Sequence, residues 1–213
     1  MPKISLDSLD LSALLCSRVC HDVISPVGAI VNGLEVLEDE KDTSMRDFAF
    51  ELIRKSAQQA SARLQFSRLA FGAAGSAGSM IDLGDAEQVS RGLFPEDKVT
   101  VGWNGPAAYF PKNKVKLLLN LVMITGSAIP RGGHLEVTVE GTPESCEFTL
   151  TAKGPNARIN KDMEALLSGE SESGSVDAHG IQAFYAGMVA QASKMAISVI
   201  SGENEVTVRA TQA

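Results

Sequence analysis

The residues best equipped for chemistry are grouped in His21-Asp22-Val23-Ile24-Ser25-Pro26. Imidazole is nucleophilic while still neutral near physiological pH, so His21 can accept a phosphoryl group and release it again. Asp22 can hold the ring, bias its tautomer or accept a proton during transfer. Ser25, one helical turn on, can donate to a phosphate oxygen, and Arg18, one turn before, can offset phosphate charge. The positions in helical register with His21 are Leu14, Arg18, Ser25, Gly28, Asn32 and Glu35, mostly small or polar. A flat strip of this kind, with Val27 and Val31 adding apolar area, admits close approach by another protein. In-line transfer between a histidine and an aspartate needs that approach, since its catalysis is largely positioning and charge neutralisation. His21 and Asp22 are therefore the candidate catalytic pair, and Arg18, Ser25, Gly28 and Asn32 the candidate docking residues. The competing reading is an ordinary surface histidine. Cys16 and Cys20 have the i, i+4 spacing of a metal pair, but they fall on an apolar seam while His21 points about 100° away, so burial is expected of them. His134 and His179 are expected to be structural.

These residues need a long helix to carry them. Positions 10–39 read as one helix, opened by Ser8 or Asp10, with an apolar side of Cys16, Cys20, Val23, Val27, Ile30, Leu34 and Leu37. The alternating spacing of four and three is a heptad seam. Pro26 interrupts it, so a bend is expected and the Asp22 carbonyl loses its usual partner. A loop at 40–44, with Thr43 or Ser44 as cap, turns the chain into a second helix that runs to about Phe71 and buries Phe48, Leu52, Ile53, Ala57, Ala60 and Leu64. Two helices of roughly 30 residues cannot hide both stripes against each other, and a second copy of the hairpin would complete a dimeric four-helix bundle. The run Gly72-Ala-Ala-Gly-Ser-Ala-Gly-Ser79 is a flexible linker. The expected domains are 1–72, a helical hairpin for dimerisation and phosphotransfer, then a linker at 73–79, then 80–213. In the last, strand-like alternation at 98–103, 134–140, 146–153, 196–201 and 205–211 is interleaved with helical stretches at 84–94, 112–127, 161–167 and 178–193. That order predicts an α+β sandwich, one sheet covered by helices.

The chain has 213 residues, 44% of them hydrophobic, so it can bury a sizeable core. Its 26 acidic against 19 basic residues give a net charge of −7, which argues against direct nucleic-acid binding; Lys112, Lys114 and Lys116 form the only dense basic group. Three cysteines and no signal-like amino terminus point to a reducing cytoplasm. The longest apolar run, at 117–124, is broken by Asn120 and falls far short of a membrane span, so no membrane association is expected.

His21-Asp22-x-x-Ser25-Pro26-Val27 resembles the phosphoacceptor box of sensor histidine kinases, His-Glu-Leu-Arg-Thr-Pro-Leu, and the run from Leu15 to Leu37 is more similar still to the ChpT-type histidine phosphotransferases of alphaproteobacteria. The resemblance covers both domains and is strongest over the first helix. It implies that His21 is the phosphorylated residue, and that 80–213 is a degenerate ATPase-like domain of the histidine-kinase (Bergerat) type. Where the kinase pattern Asn-Leu-x-x-Asn-Ala places its magnesium ligand, this chain has Ile124; where the adenine-reading aspartate stands, it has Ala152 in Ala152-Lys153-Gly154; and the loop Ala178-His179-Gly180-Ile181-Gln182 keeps one glycine of the expected Gly-x-Gly. No ATP binding and no cofactor of its own are then expected, and Mg²⁺ would come with the partner. The resemblance further implies a phosphorelay shuttle acting between the receiver domain of a hybrid histidine kinase (CckA-like) and response regulators (CtrA-like, CpdR-like) of the cell cycle. The alternatives are an active ATP-dependent kinase and a non-catalytic dimeric scaffold for receivers.

Overall fold

The computed structural model describes residues 1–39, 41–72, 79–95 and 97–213. Two long helices come first, α1 (Ser8–Asp39) and α2 (Thr43–Ala70). An aspartate caps each. Asp7 Oδ1 accepts from the backbone N–H groups of Leu9 and Asp10, both at 2.8 Å, and Asp42 Oδ1 accepts from those of Ser44 and Met45. The caps lie ahead of Ser8 and Thr43 because a carboxylate reaches forward two and three residues to the free amides of the first turn.

The helices run antiparallel, since Asp22 meets Arg63, Gly33 meets Ile53 and Leu37 meets Arg46. The buried line on α1 is Asp22, Pro26 and Gly33, and on α2 it includes Ala49, Ser56 and Ala60. This corrects the expected seam. Small residues face each other and let the helices close up, which leaves the larger apolar side chains one position round outside the contact. Cys16, Cys20, Val27 and Leu34 are exposed, as are Phe48, Ala57 and Leu64 on α2; Val23, Ile30, Leu37, Leu52 and Ile53 are half-buried, and Ala60 is buried as expected. By length and composition α1 is apolar enough to cross a membrane, although no unbroken run within it is; its middle carries Arg18, His21 and Asp22.

The remainder is the expected α+β unit. Strands β2 (Val99–Asn104), β4 (Gly133–Gly141), β5 (Cys146–Lys153), β6 (Met195–Gly202) and β7 (Glu205–Gln212) form one sheet in the order β2-β4-β5-β7-β6, parallel only between β2 and β4. Helices α3 (Leu83–Leu93), α4 (Lys112–Ser127), α5 (Lys161–Leu167) and α6 (Ile181–Ala192) lie near the expected bounds, those of α4 and α5 unchanged. Alternation decides which sheet face is covered: Leu135, Val137, Phe148, Leu150, Val206 and Val208 point into the core, while Glu136, Thr138 and Thr149 do not. Two further strands, β1 (Met80–Asp82) and β3 (Tyr109–Pro111), pair antiparallel as a separate ribbon. Of the linker at 73–79, all but Ser79 lies outside the described residues.

The sandwich is tied to the hairpin near the end of α2 and again farther along, and α3 packs against α2. The end of α2 contributes Phe66, Leu69 and Ala70 to the same apolar core as the sheet. Asn120 on α4 donates to the Ala70 carbonyl at 3.2 Å, and Phe71 packs on Tyr185 with ring centroids 5.8 Å apart. Farther along the hairpin, α6 packs against α1, and the Arg18 guanidinium reaches the Met123 sulfur on α4 at 3.8 Å. That second contact lies beside His21.

Candidate functional site

His21 stands out from the middle of α1 with 62% of its side chain exposed. Its Nδ1 lies 3.5 Å from Asp22 Oδ1, and the other Asp22 oxygen accepts from Arg18 Nε at 3.1 Å. Asp22 itself is buried. A carboxylate facing Nδ1 favours the proton on that nitrogen, which leaves the lone pair on Nε2. The Asp22 charge would also stabilise a positive charge on the ring. The expected pairing of His21 with Asp22 is thus present as geometry.

Pro26 explains how the pair is held. It has no N–H, so the Asp22 carbonyl, four residues back, has no helical donor. The Arg63 guanidinium of α2 supplies one, at 2.7 Å. The backbone of the site is therefore pinned to the second helix from below, while the side chains of Arg18 and Asp22 brace each other in an i, i+4 pair.

The proposed docking strip divides. Ser25 and Asn32 are exposed, as expected. Gly28 is half-buried, and a Cβ built on it would meet nothing within 4 Å, so no packing within the chain calls for glycine there. Arg18 is half-buried and engaged with Asp22 and Met123. Cys16 and Cys20 are exposed free thiols, and among the described residues no group of three or more His, Cys, Asp or Glu side chains is arranged to hold a metal.

One neighbour of His21 is not legible in the sequence. His179, in the loop before α6, lies against His21 with ring centroids 5.2 Å apart and planes at 78°, an edge-to-face contact. His134 instead pairs with Glu136 at 2.8 Å on β4. The signal for His179 was its place in the loop where a kinase keeps a Gly-x-Gly; nothing in its local sequence points toward α1.

The positions that would serve a nucleotide are filled otherwise. Ile124 is buried in an apolar cluster with Leu167, Ala183 and Ala186. Ala152 is buried in the main core. Gln182 is buried, and its Nε2 has no partner in the protein. The side chains of Ile124 and Ala152 carry no oxygen that could ligate a hard cation or accept from adenine.

Residues 83–205 match the family described as the histidine phosphotransferase C-terminal domain. The chain is 49% identical over 196 residues, 92% of each chain, to the protein phosphotransferase ChpT of Brucella abortus (strain 2308). It superposes on the 1.7 Å structure of a bacterial phosphotransferase with a TM-score of 0.90 and 44% identity, covering 99% of this chain and 100% of that one. With the family domain spanning more than half of its length and a relative of this identity aligned along nearly all of it, the chain belongs to the ChpT-type histidine phosphotransferases, the phosphotransfer proteins of phosphorelays.

Proposed function

We propose that His21 is the phosphoryl carrier, taking the group from a receiver aspartate and giving it to another. The observation that carries this reading is an exposed imidazole whose Nδ1 faces the buried, Arg18-braced carboxylate of Asp22. In the accepting direction the bond from phosphorus to the receiver's aspartate oxygen breaks as Nε2 attacks in line. The electron pair leaves with that carboxylate. The ring keeps its Nδ1 proton and takes up positive charge opposite Asp22, so no proton has to leave the site.

The donor is a hybrid kinase receiver (CckA-like) and the acceptors are cell-cycle regulators (CtrA-like, CpdR-like), with Mg²⁺ carried by the receivers and all steps in the cytoplasm. Exposed Ser25 and Asn32 and the open Gly28 support docking along α1. The working unit is a homodimer with a four-helix bundle: Val27 and Leu34 on α1, and Phe48 and Leu64 on α2, are exposed in the single chain and would be covered by a second hairpin. The burial of Ile124 among apolar side chains supports transfer without ATP-dependent autophosphorylation.

The test is to mix native and His21→Ala protein with a phosphorylated receiver domain in the absence of ATP. Acid-labile phosphate on the native chain alone is the expected result; acceptance by His21→Ala at the native level refutes the proposal. For the dimer, sedimentation of Leu34→Glu beside native protein should give a monomer against a dimer, and a native monomer at micromolar concentration would rule it out.

A further inference from the structure

We propose that His179 is a second residue of the phosphotransfer site, a positioning residue that braces the His21 ring and offers an N–H to the phosphoryl group once it is on Nε2; this rests on His21 being the carrier. The two rings come from different halves of the molecule, one from the middle of α1 and the other from the loop leading into α6, and they meet edge to face with centroids 5.2 Å apart. At that spacing a phosphoryl group on the exposed side of His21 lies within hydrogen-bond reach of the second ring.

The loop is built to hold His179 where it is. Asp177 Oδ1 accepts from the backbone N–H of His179 at 3.0 Å and of Gly180 at 2.8 Å, and the Asp177 carbonyl accepts from Ile181 at 2.9 Å. Gly180 is buried, and a Cβ there would stand 2.7 Å from Leu166 Cδ1, so the backbone next to His179 sits closely against α5. Helix α6 packs against α1, which carries this fixed loop to the nucleophile. His179 is itself exposed, and its burial in a core offers no alternative account of its position. A preorganised donor of this kind costs no rearrangement when charge develops on the phosphoryl oxygens. It also gives the sandwich a task at the reaction centre that requires no nucleotide.

The experiment uses full-length protein and a receiver domain phosphorylated with acetyl phosphate and then freed of it. Single-turnover transfer is followed over a range of receiver concentrations for native, His21→Ala, His179→Ala and His179→Gln proteins. His179→Ala should lower the saturating rate by about ten-fold or more while the half-saturating receiver concentration stays unchanged. His179→Gln, whose amide is also an N–H donor, should recover part of the loss. A saturating rate equal to native in His179→Ala overturns the proposal. So does a loss seen only as weaker receiver binding, or one that glutamine does not restore. If His21→Ala accepts no phosphate while His179→Ala behaves as native, only the role of His179 has failed; if His21→Ala accepts phosphate, the carrier reading has failed first.

Discussion

The Asp22 carbonyl is bonded to Arg63, at 2.7 Å, across the hairpin. Pro26 creates the vacancy that Arg63 fills, so the two residues should be energetically coupled. Arg63→Met leaves a carbonyl without a donor in a half-buried place, which should cost about 1–3 kcal/mol. Pro26→Ala returns an N–H to the helix, and in that background the same Arg63 substitution should cost at least about 1 kcal/mol less. Urea unfolding of the four proteins at one fixed concentration closes the cycle. Equal costs in both backgrounds would show that Arg63 does not substitute for the missing helical donor.

That coupling marks how far the sequence could be read. Pro26 announces an orphaned carbonyl, but the donor lies on another helix and no local pattern names it. In the same way α4 and α5 were legible to the residue because their flanks carry clear breaks, whereas β1 and β3 were not, being three residues long and too short for any period to register. The heptad on α1 was visible, but its orientation was not: hydrophobicity ranks Val27 and Leu34 above Gly33, while the actual contact selects for smallness. His21 and Asp22 could be picked out by residue type and adjacency. His179 could not, because its partnership with His21 exists only after the sandwich has folded back on the hairpin.

Two glycines of α1 should respond oppositely to alanine. At Gly33 a Cβ would stand 2.6 Å from Ile53 Cγ1 and 3.4 Å from the Ala49 carbonyl, so Gly33→Ala should separate the helices and destabilise the protein by about 1–3 kcal/mol. At Gly28 a Cβ meets nothing, so Gly28→Ala should stabilise the helix by about 0.5–1 kcal/mol. If the strip receives a partner, Gly28→Ala should also slow transfer to a receiver. Melting temperatures and transfer rates of the two variants test this, and a destabilised Gly28→Ala would place a packing demand at that position.

Ile124→Asn restores the residue type of a kinase magnesium ligand without restoring the site. Its surroundings are Leu167, Ala183 and Ala186, and an amide placed among them lacks partners, so a loss of about 2–4 kcal/mol is expected. Ala152 would still offer no carboxylate to adenine. Thermal unfolding of the variant should therefore show the same midpoint with and without millimolar Mg-ATP. A nucleotide-dependent rise would mean that the apolar cluster is the chief obstacle to nucleotide binding.

Lys116 offers a test by pH. Lys116 is buried on α4, and among the described residues its ammonium has long contacts, 3.4 Å to the Phe71 carbonyl and to the Tyr185 hydroxyl; desolvation, and secondarily the charge of Lys112, lowers its pKa below the usual 10.5. A lysine whose folded-state pKa is lowered binds its proton less tightly in the fold than in the unfolded chain. Near neutral pH it is charged in both states, and the fold bears the whole cost of burying it. As pH rises through the folded value toward 10.5, the folded state gives up the proton first and that cost shrinks. Lys116→Met keeps the apolar stem and removes the charge, so at pH 7 it should melt higher than the native protein by a few degrees, about 2–4 °C. The gap should narrow by pH 10. A variant less stable at pH 7, or a gap that widens with pH, would mean that the two contacts to Phe71 and Tyr185 outweigh the desolvation of the ammonium.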